Sequence, residues 1–130
     1  MAGTNTITDK IDQGSIRKIT FDWLSDASGD VSGTNTAHVS GQILRVVFKP
    51  DGGGTQPTNL YDVVLNDSNG MDVLAALGAN LANNANTQVV PCMTDGNAGN
   101  MAPMAVNDVL SLVVSNAGDS KGGTVIIYVR

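Results

Sequence analysis

The sequence predicts an all-β chain: a single-domain antiparallel β-sandwich or jelly-roll/barrel with about seven or eight strands and one short helix. Three observations lead there. Gly, Asn, Asp, Ser and Thr together make up nearly half of the 130 residues, and these types favour turns and caps over helix interiors. All twelve acids are Asp, so Glu, a common surface helix former, is missing. Short apolar alternations of period two recur between turn clusters. A chain of 130 residues makes one domain and buries a core without metal or disulfide staples.

Residues 1–14 alternate weakly and lack a strong apolar face. They read as an extended N-terminal arm, ordered against a partner, ahead of a β-rich domain over residues 15–130. Residues 15–24 read as the first strand, with Ile19, Phe21 and Trp23 on one face and Lys18, Thr20 and Asp22 on the other. Residues 25–36 are a polar loop or a bent edge strand. Residues 39–49 are the second strong strand, with Leu44, Val46 and Phe48 sharing a face, and the Gly/Pro cluster at 50–57 ends it. Residues 59–66 follow, with Tyr61, Val63 and Leu65 inward.

Residues 71–81 are the helical candidate, because Leu74, Leu77 and Leu81 fall at i, i+3, i+7 and Ala75 and Ala76 favour a helix. Asp72 would cap its start and Gly78 or Asn80 its end. Residues 87–93 read as a strand that Pro91 confines to an edge or ends. Residues 101–106 form a short extended piece. Residues 108–116 and 123–130 read as a closing hairpin, with Leu110, Leu112 and Val114 in phase against Val125, Ile127 and Val129.

The composition narrows function. The net charge is −5, and only Arg17 and Lys18 are adjacent cations, so nucleic acid is not the expected partner. No apolar run approaches the roughly 20 residues of a membrane-crossing helix, and the N-terminal residues lack the pattern of a secretory signal. One cysteine, Cys92, precludes an intramolecular disulfide, and one histidine, His38, precludes a multi-histidine metal site. No cofactor and no metal are expected.

Each remaining motif has an ordinary reading. His38 would need a neighbouring nucleophile and Asp to act as a base; otherwise it is a polar residue at the start of a strand. Cys92 lies between Pro91 and Met93 without local positive charge, which favours packing over reactivity. The run from Asp67 to Asp72 contains part of a calcium-loop pattern, but lacks its third ligand and closing Glu, so an Asx turn is expected. Gly52, Gly53 and Gly54 do not form a phosphate loop. Met93, Met101 and Met104 suit either an adaptable interface or the core. Trp23 lies on an apolar face, and with Tyr61 and Tyr128 is one of the few aromatics a sugar-stacking cleft could use.

Several segments resemble a family of small proteins from tailed-phage and prophage structural modules. They are Ile19-Thr20-Phe21-Asp22-Trp23 with Ser25-Asp26-Ala27-Ser28-Gly29, Gly41-Gln42-Ile43-Leu44-Arg45-Val46-Val47, Asn59-Leu60-Tyr61-Asp62-Val63, the run from Met71 to Asn80, and Val113-Val114-Ser115-Asn116-Ala117-Gly118. The resemblance runs from about residue 15 to the end and carries no catalytic signature. It implies a non-enzymatic virion structural protein, a decoration (cement) or minor capsid protein on the outer head surface. The implied partners are the major capsid protein and further copies of the chain, as a trimer. The arm lies ahead of the resembling segments, and its Thr4, Thr6, Ile7 and Ile11 are the expected capsid contacts by its own reading as a segment ordered against a neighbour. The alternative is a tail, baseplate or fibre-associated module that binds a host surface glycan.

Overall fold

A computed structural model describes residues 3–10, 14–94, 96–97 and 99–130. The strands are β1 (Thr4–Lys10), β2 (Arg17–Leu24), β3 (Val31–Pro50), β4 (Asp62–Asn66), β5 (Thr87–Val89), β6 (Cys92–Thr94), β7 (Met101–Pro103), β8 (Ala105–Ser115) and β9 (Gly122–Val129). Every pairing among them is antiparallel. The main sheet runs β1-β2-β9-β3-β8-β4, with β5 added to β3, while β6 and β7 form a separate hairpin. The fold is all-β, as the composition predicts.

The sheet folds back on itself about β3. Residues 31–42 of this strand pair with β8, and residues 43–50 pair with β9. Gly41 sits at the junction with φ +131, and a Cβ there would lie 2.8 Å from the Arg130 carbonyl oxygen. Only glycine tolerates both conditions. Two residues later the register slips between Ile43 and Arg45. This bulge lets both Ile43 and Val46 turn inward although they are three apart. Two limbs result, β1-β2-β9-β3 and β3-β8-β4. Between them Ile19, Phe21, Trp23, Phe48 and Ile127 meet Leu110, Leu112, Val63 and Leu65 in one core.

Three expectations need correction. Thr4–Lys10 are not an arm awaiting a partner: they form β1, paired along their whole length with β2. Ile7 sits opposite Phe21 and packs against the core. Residues 108–116 and 123–130 do not form a hairpin with each other. β9 inserts between β2 and β3, whereas β8 lies between β3 and β4. Apolar phase tells which face of a strand is buried, but not which strand lies beside it.

The third correction concerns residues 71–81, which form consecutive turns rather than a helix. Ala75, Ala76 and Asn80 have φ of 52, 63 and 54, and Leu77 is exposed while Val73, Leu74 and Leu81 are buried. The segment instead covers the outer edge of β4. The Val63 N–H donates to the Gly78 carbonyl at 2.7 Å, the Val73 N–H to Leu65 at 2.9 Å, and the Leu81 N–H to Tyr61 at 2.8 Å. Gly78 is required there, because a Cβ would meet the Val63 carbonyl oxygen at 2.2 Å. Satisfying the polar edge of a strand outweighs a helix of one or two turns, whose nucleation is costly. The described residues contain a single 3-10 turn, Gly53–Thr55, far from the expected helix.

A side-chain clamp joins the limbs at the β1 edge. The Arg17 guanidinium pairs with the Asp9 carboxylate and donates to the His38 carbonyl of β3 at 2.9 Å. The hydrogen bond from Arg17 holds the Asp9 carboxyl below its usual range. The clamp therefore contributes its full stability above about pH 4 and loses it as the pH falls through the lowered value. Asp9→Asn is expected to cost about 0.5–1 kcal/mol at neutral pH. The difference from wild type should shrink below pH 4, as read by urea unfolding across pH 2.5–7.

Candidate functional site

The carboxylates are mostly engaged with backbone. Asp26 accepts the N–H groups of Ser28 and Asp30 at 2.9 and 3.0 Å. Asp67 accepts those of Asn69 and Met71 at 2.9 and 3.0 Å, which makes the 67–72 run an Asx turn. Asp72 accepts three, from Leu65, Leu74 and Ala76. Short Asp side chains suit this task because they reach their own turn. Among the described residues no group of three or more His, Cys, Asp or Glu is arranged to hold a metal ion.

His38 is exposed on β3, placed so that a positive charge on it would favour the Asp108 carboxylate. The Ser68 hydroxyl donates to that same Asp108 carboxylate at 2.6 Å, and the Ser68 N–H adds a bond at 3.1 Å. The hydroxyl, more than the backbone N–H groups or His38, holds the Asp108 carboxyl below its usual range. Ser68 thus gives its hydrogen bond to a carboxylate, a weak base, rather than to the imidazole. The arrangement docks the 67–70 turn onto β8 and is not a relay of the serine-hydrolase kind.

Trp23 is 2% exposed and Tyr61 is buried, their ring centroids 5.7 Å apart in the core. Burial, and then the Asp51 charge, pushes the Tyr61 phenol up to about 12. Tyr128 is half-buried, with the Arg45 guanidinium 5.1 Å from its ring centroid. Neither Trp23 nor Tyr61 offers a face for stacking a sugar. A notch of about 350 Å³ lies between Pro50, Asp51, Gln56 and Asn83–Asn86. Two of its polar side chains hold the loop itself: Gln56 donates to the Asn83 carbonyl at 2.9 Å, and Asn83 to the Pro57 carbonyl at 3.0 Å.

The methionines divide. Met104 packs against the core, while Met93 and Met101 are 56% and 71% exposed on the β6–β7 hairpin. Cys92 at its base is half-buried rather than fully packed. Pro91 ends the strand that began at Thr87, as its missing N–H predicts.

The outward face of β1-β2-β9-β3 is a regular surface four strands wide. Strand alternation places Thr4, Thr6 and Thr8 of β1 on it, followed by Lys18, Thr20 and Asp22 of β2. Next come Thr124, Ile126 and Tyr128 of β9, then Arg45, Val47 and Lys49 of β3. The residues align in rows across the strands. One row runs Lys18, Tyr128, Arg45; the next runs Thr8, Thr20, Ile126, Val47; the third runs Thr6, Asp22, Thr124, Lys49. Of the expected contacts, Thr4 and Thr6 lie exposed on this face and Ile7 turns away from it into the core. Ile11 lies outside the described residues. Residue periodicity within β1 separates Thr4 and Thr6 from Ile7, but the rows depend on register across three other strands.

No protein-family model matches the chain, and a search of curated proteins found no match. Among solved structures, the crystal structure of a cupin domain from Bordetella pertussis Tohama I is similar over 100% of this chain and 97% of that one. The identity is 15% and the TM-score 0.41.

Proposed function

We propose that this chain is a non-enzymatic structural protein of a phage virion, a decoration or minor capsid protein on the outer head surface. The observation that carries this reading is the use made of its chemical groups. The Asp26, Asp67 and Asp72 carboxylates hold turns, Asp9 and Arg17 clamp two limbs, and Ser68 and Asp108 fix a loop to a strand. Polar groups so employed build a rigid shape with broad regular faces. That suits a protein whose work is contact.

The resembling segments support the same reading. They fall on β2 and the turn after it, the bend of β3, the start of β4, the cover of its edge, and the end of β8. The resemblance therefore follows the frame of the fold. On a shell, many copies turn a modest contact into strong retention. The partners in this reading are the major capsid protein and other copies of the chain, as a trimer, and its place is the virion.

The test is copy number. Calibrated mass spectrometry of purified particles should find this chain at hundreds of copies, in fixed proportion to the major capsid protein. A handful of copies would overturn decoration and move the chain to the tail or baseplate. Absence from the particle would overturn the virion reading itself.

A further inference from the structure

In a chain of net charge −5 with twelve Asp and seven Lys and Arg, charge is unevenly placed. Among the described residues, the outward face of β2-β9-β3 presents Lys18, Arg45 and Lys49 and only one carboxylate, Asp22. All three cations are exposed. Lys18 and Arg45 lie two strands apart, about 10 Å, and Arg45 and Lys49 lie four residues apart along one strand, about 13 Å. Arg45 is fixed in place, with its guanidinium over the Tyr128 ring and its Nε donating to the Gln88 side chain at 3.0 Å. Between the cations the surface carries Thr20, Thr124, the Tyr128 ring and the nearly buried Ile126 and Val47, groups that hydrogen-bond or pack without adding charge.

We propose that this face is a docking surface for an acidic protein surface. Charge complementarity selects the occupant. A duplex nucleic acid carries one charge per about 1.7 Å, far denser than three cations about 10–13 Å apart. Anionic lipid attracts at about 1 kcal/mol per cation and is held by clusters of about four to eight, more than this face presents. A protein patch with a few carboxylates about 10 Å apart matches the spacing. It would leave the remaining acidic surface in solvent, where net charge favours solubility. Electrostatic pairing of this kind fixes orientation and speeds encounter. Identifying that partner with the head shell rests on the reading above, whereas its acidic chemistry rests on the face alone.

The test compares wild type with a triple variant, Lys18→Glu, Arg45→Glu and Lys49→Glu. A control variant, Thr36→Glu, Ser40→Glu and Asn107→Glu, adds negative charge on β3 and β8. Circular dichroism confirms that each is folded. Each is added to heads assembled without this chain and to immobilised poly-aspartate, at about 20 to 300 mM salt. DNA and phosphatidylserine vesicles serve as competing anions. Wild type and control are expected to bind heads and poly-aspartate at low salt and to be released as salt rises. The face variant is expected to bind at least about tenfold more weakly to both.

Equal binding of heads by the face variant would overturn the assignment of this face to the shell and leave decoration standing. Wild type that binds poly-aspartate but not heads would uphold the acidic partner and overturn decoration. Failure of wild type to bind poly-aspartate, or equal binding to DNA or vesicles, would overturn the inference. Self-association abolished only in the face variant, with head binding intact, would make the partner a second copy and overturn the shell assignment.

Discussion

Trp23→Ala is expected to destabilise the chain by about 3–5 kcal/mol, the usual cost of emptying a buried aromatic site. The indole is 2% exposed and stands between the limbs, beside Tyr61 of the opposite limb. It also rests on the backbone of β9: a Cβ on Gly123 would come within 2.8 Å of the indole ring. The glycine and the indole are therefore matched in shape, and rigid strands on both sides limit how far the site can collapse. Against a total stability of about 5–15 kcal/mol, this loss approaches unfolding. Thermal denaturation followed by far-ultraviolet circular dichroism should show a Tm lower by roughly 10–20 °C. A drop below about 3 °C would mean that the limbs are held together elsewhere. Trp23→Phe keeps an aromatic ring and should lose substantially less.

Asp72→Ala is expected to cost about 2–4 kcal/mol, through a different mechanism. Its carboxylate accepts the Leu65, Leu74 and Ala76 N–H groups at 3.1, 3.0 and 3.0 Å. Hydrogen bonds to a charged group contribute about 1.5–3 kcal/mol each, and water recovers part of that loss at this half-buried site. Alanine removes all three and releases the 71–81 turns from the edge of β4. Asp72→Asn retains an acceptor oxygen and should lose less. Hydrogen exchange reads the mechanism directly. Protection at Leu65 and Val73 should fall by more than protection at Ile19 and Phe21. Equal loss across both sets would show that the turns and the core open as one unit. Were residues 71–81 a capped helix, Ala at position 72 would instead cost about 1 kcal/mol.

These variants also mark where sequence and structure part. Trp23 is legible because period-two alternation through Ile19, Phe21 and Trp23 identifies a buried face without knowledge of what covers it. Tyr61, Val63 and Leu65, and then Leu110, Leu112 and Val114, are legible for the same reason. Asp72 is legible only in part. A capping role is readable from an Asp before an apolar run, but the N–H groups it serves include one on β4, seven residues back. Leu74 and Leu81 are buried as their spacing suggests, yet in turns that follow a strand edge. Similarly, residues 31–50 read as a loop and a shorter strand because Gly33, Gly41 and the Ser/Thr/Asn run interrupt the alternation. The long bent strand is held by β8 on one stretch and β9 on the other.

The candidate surface divides in the same way. That Lys18 and Asp22 oppose Phe21 is a property of one strand. That Lys18, Tyr128 and Arg45 form a row, while Asp26, Asp67 and Asp72 turn to backbone elsewhere, depends on register and strand order. By itself, then, the sequence determined the all-β class, the inward face of most strands and the Asx turn that begins at Asp67. Side-chain alternation and local hydrogen bonding act within a few residues, so they are written in neighbouring positions. Only the tertiary structure decided that Thr4–Lys10 joins the sheet, that β9 lies between β2 and β3, and that three cations share one face. Those outcomes depend on which strand edges meet, and any edge offers the same backbone donors and acceptors until the whole core is packed.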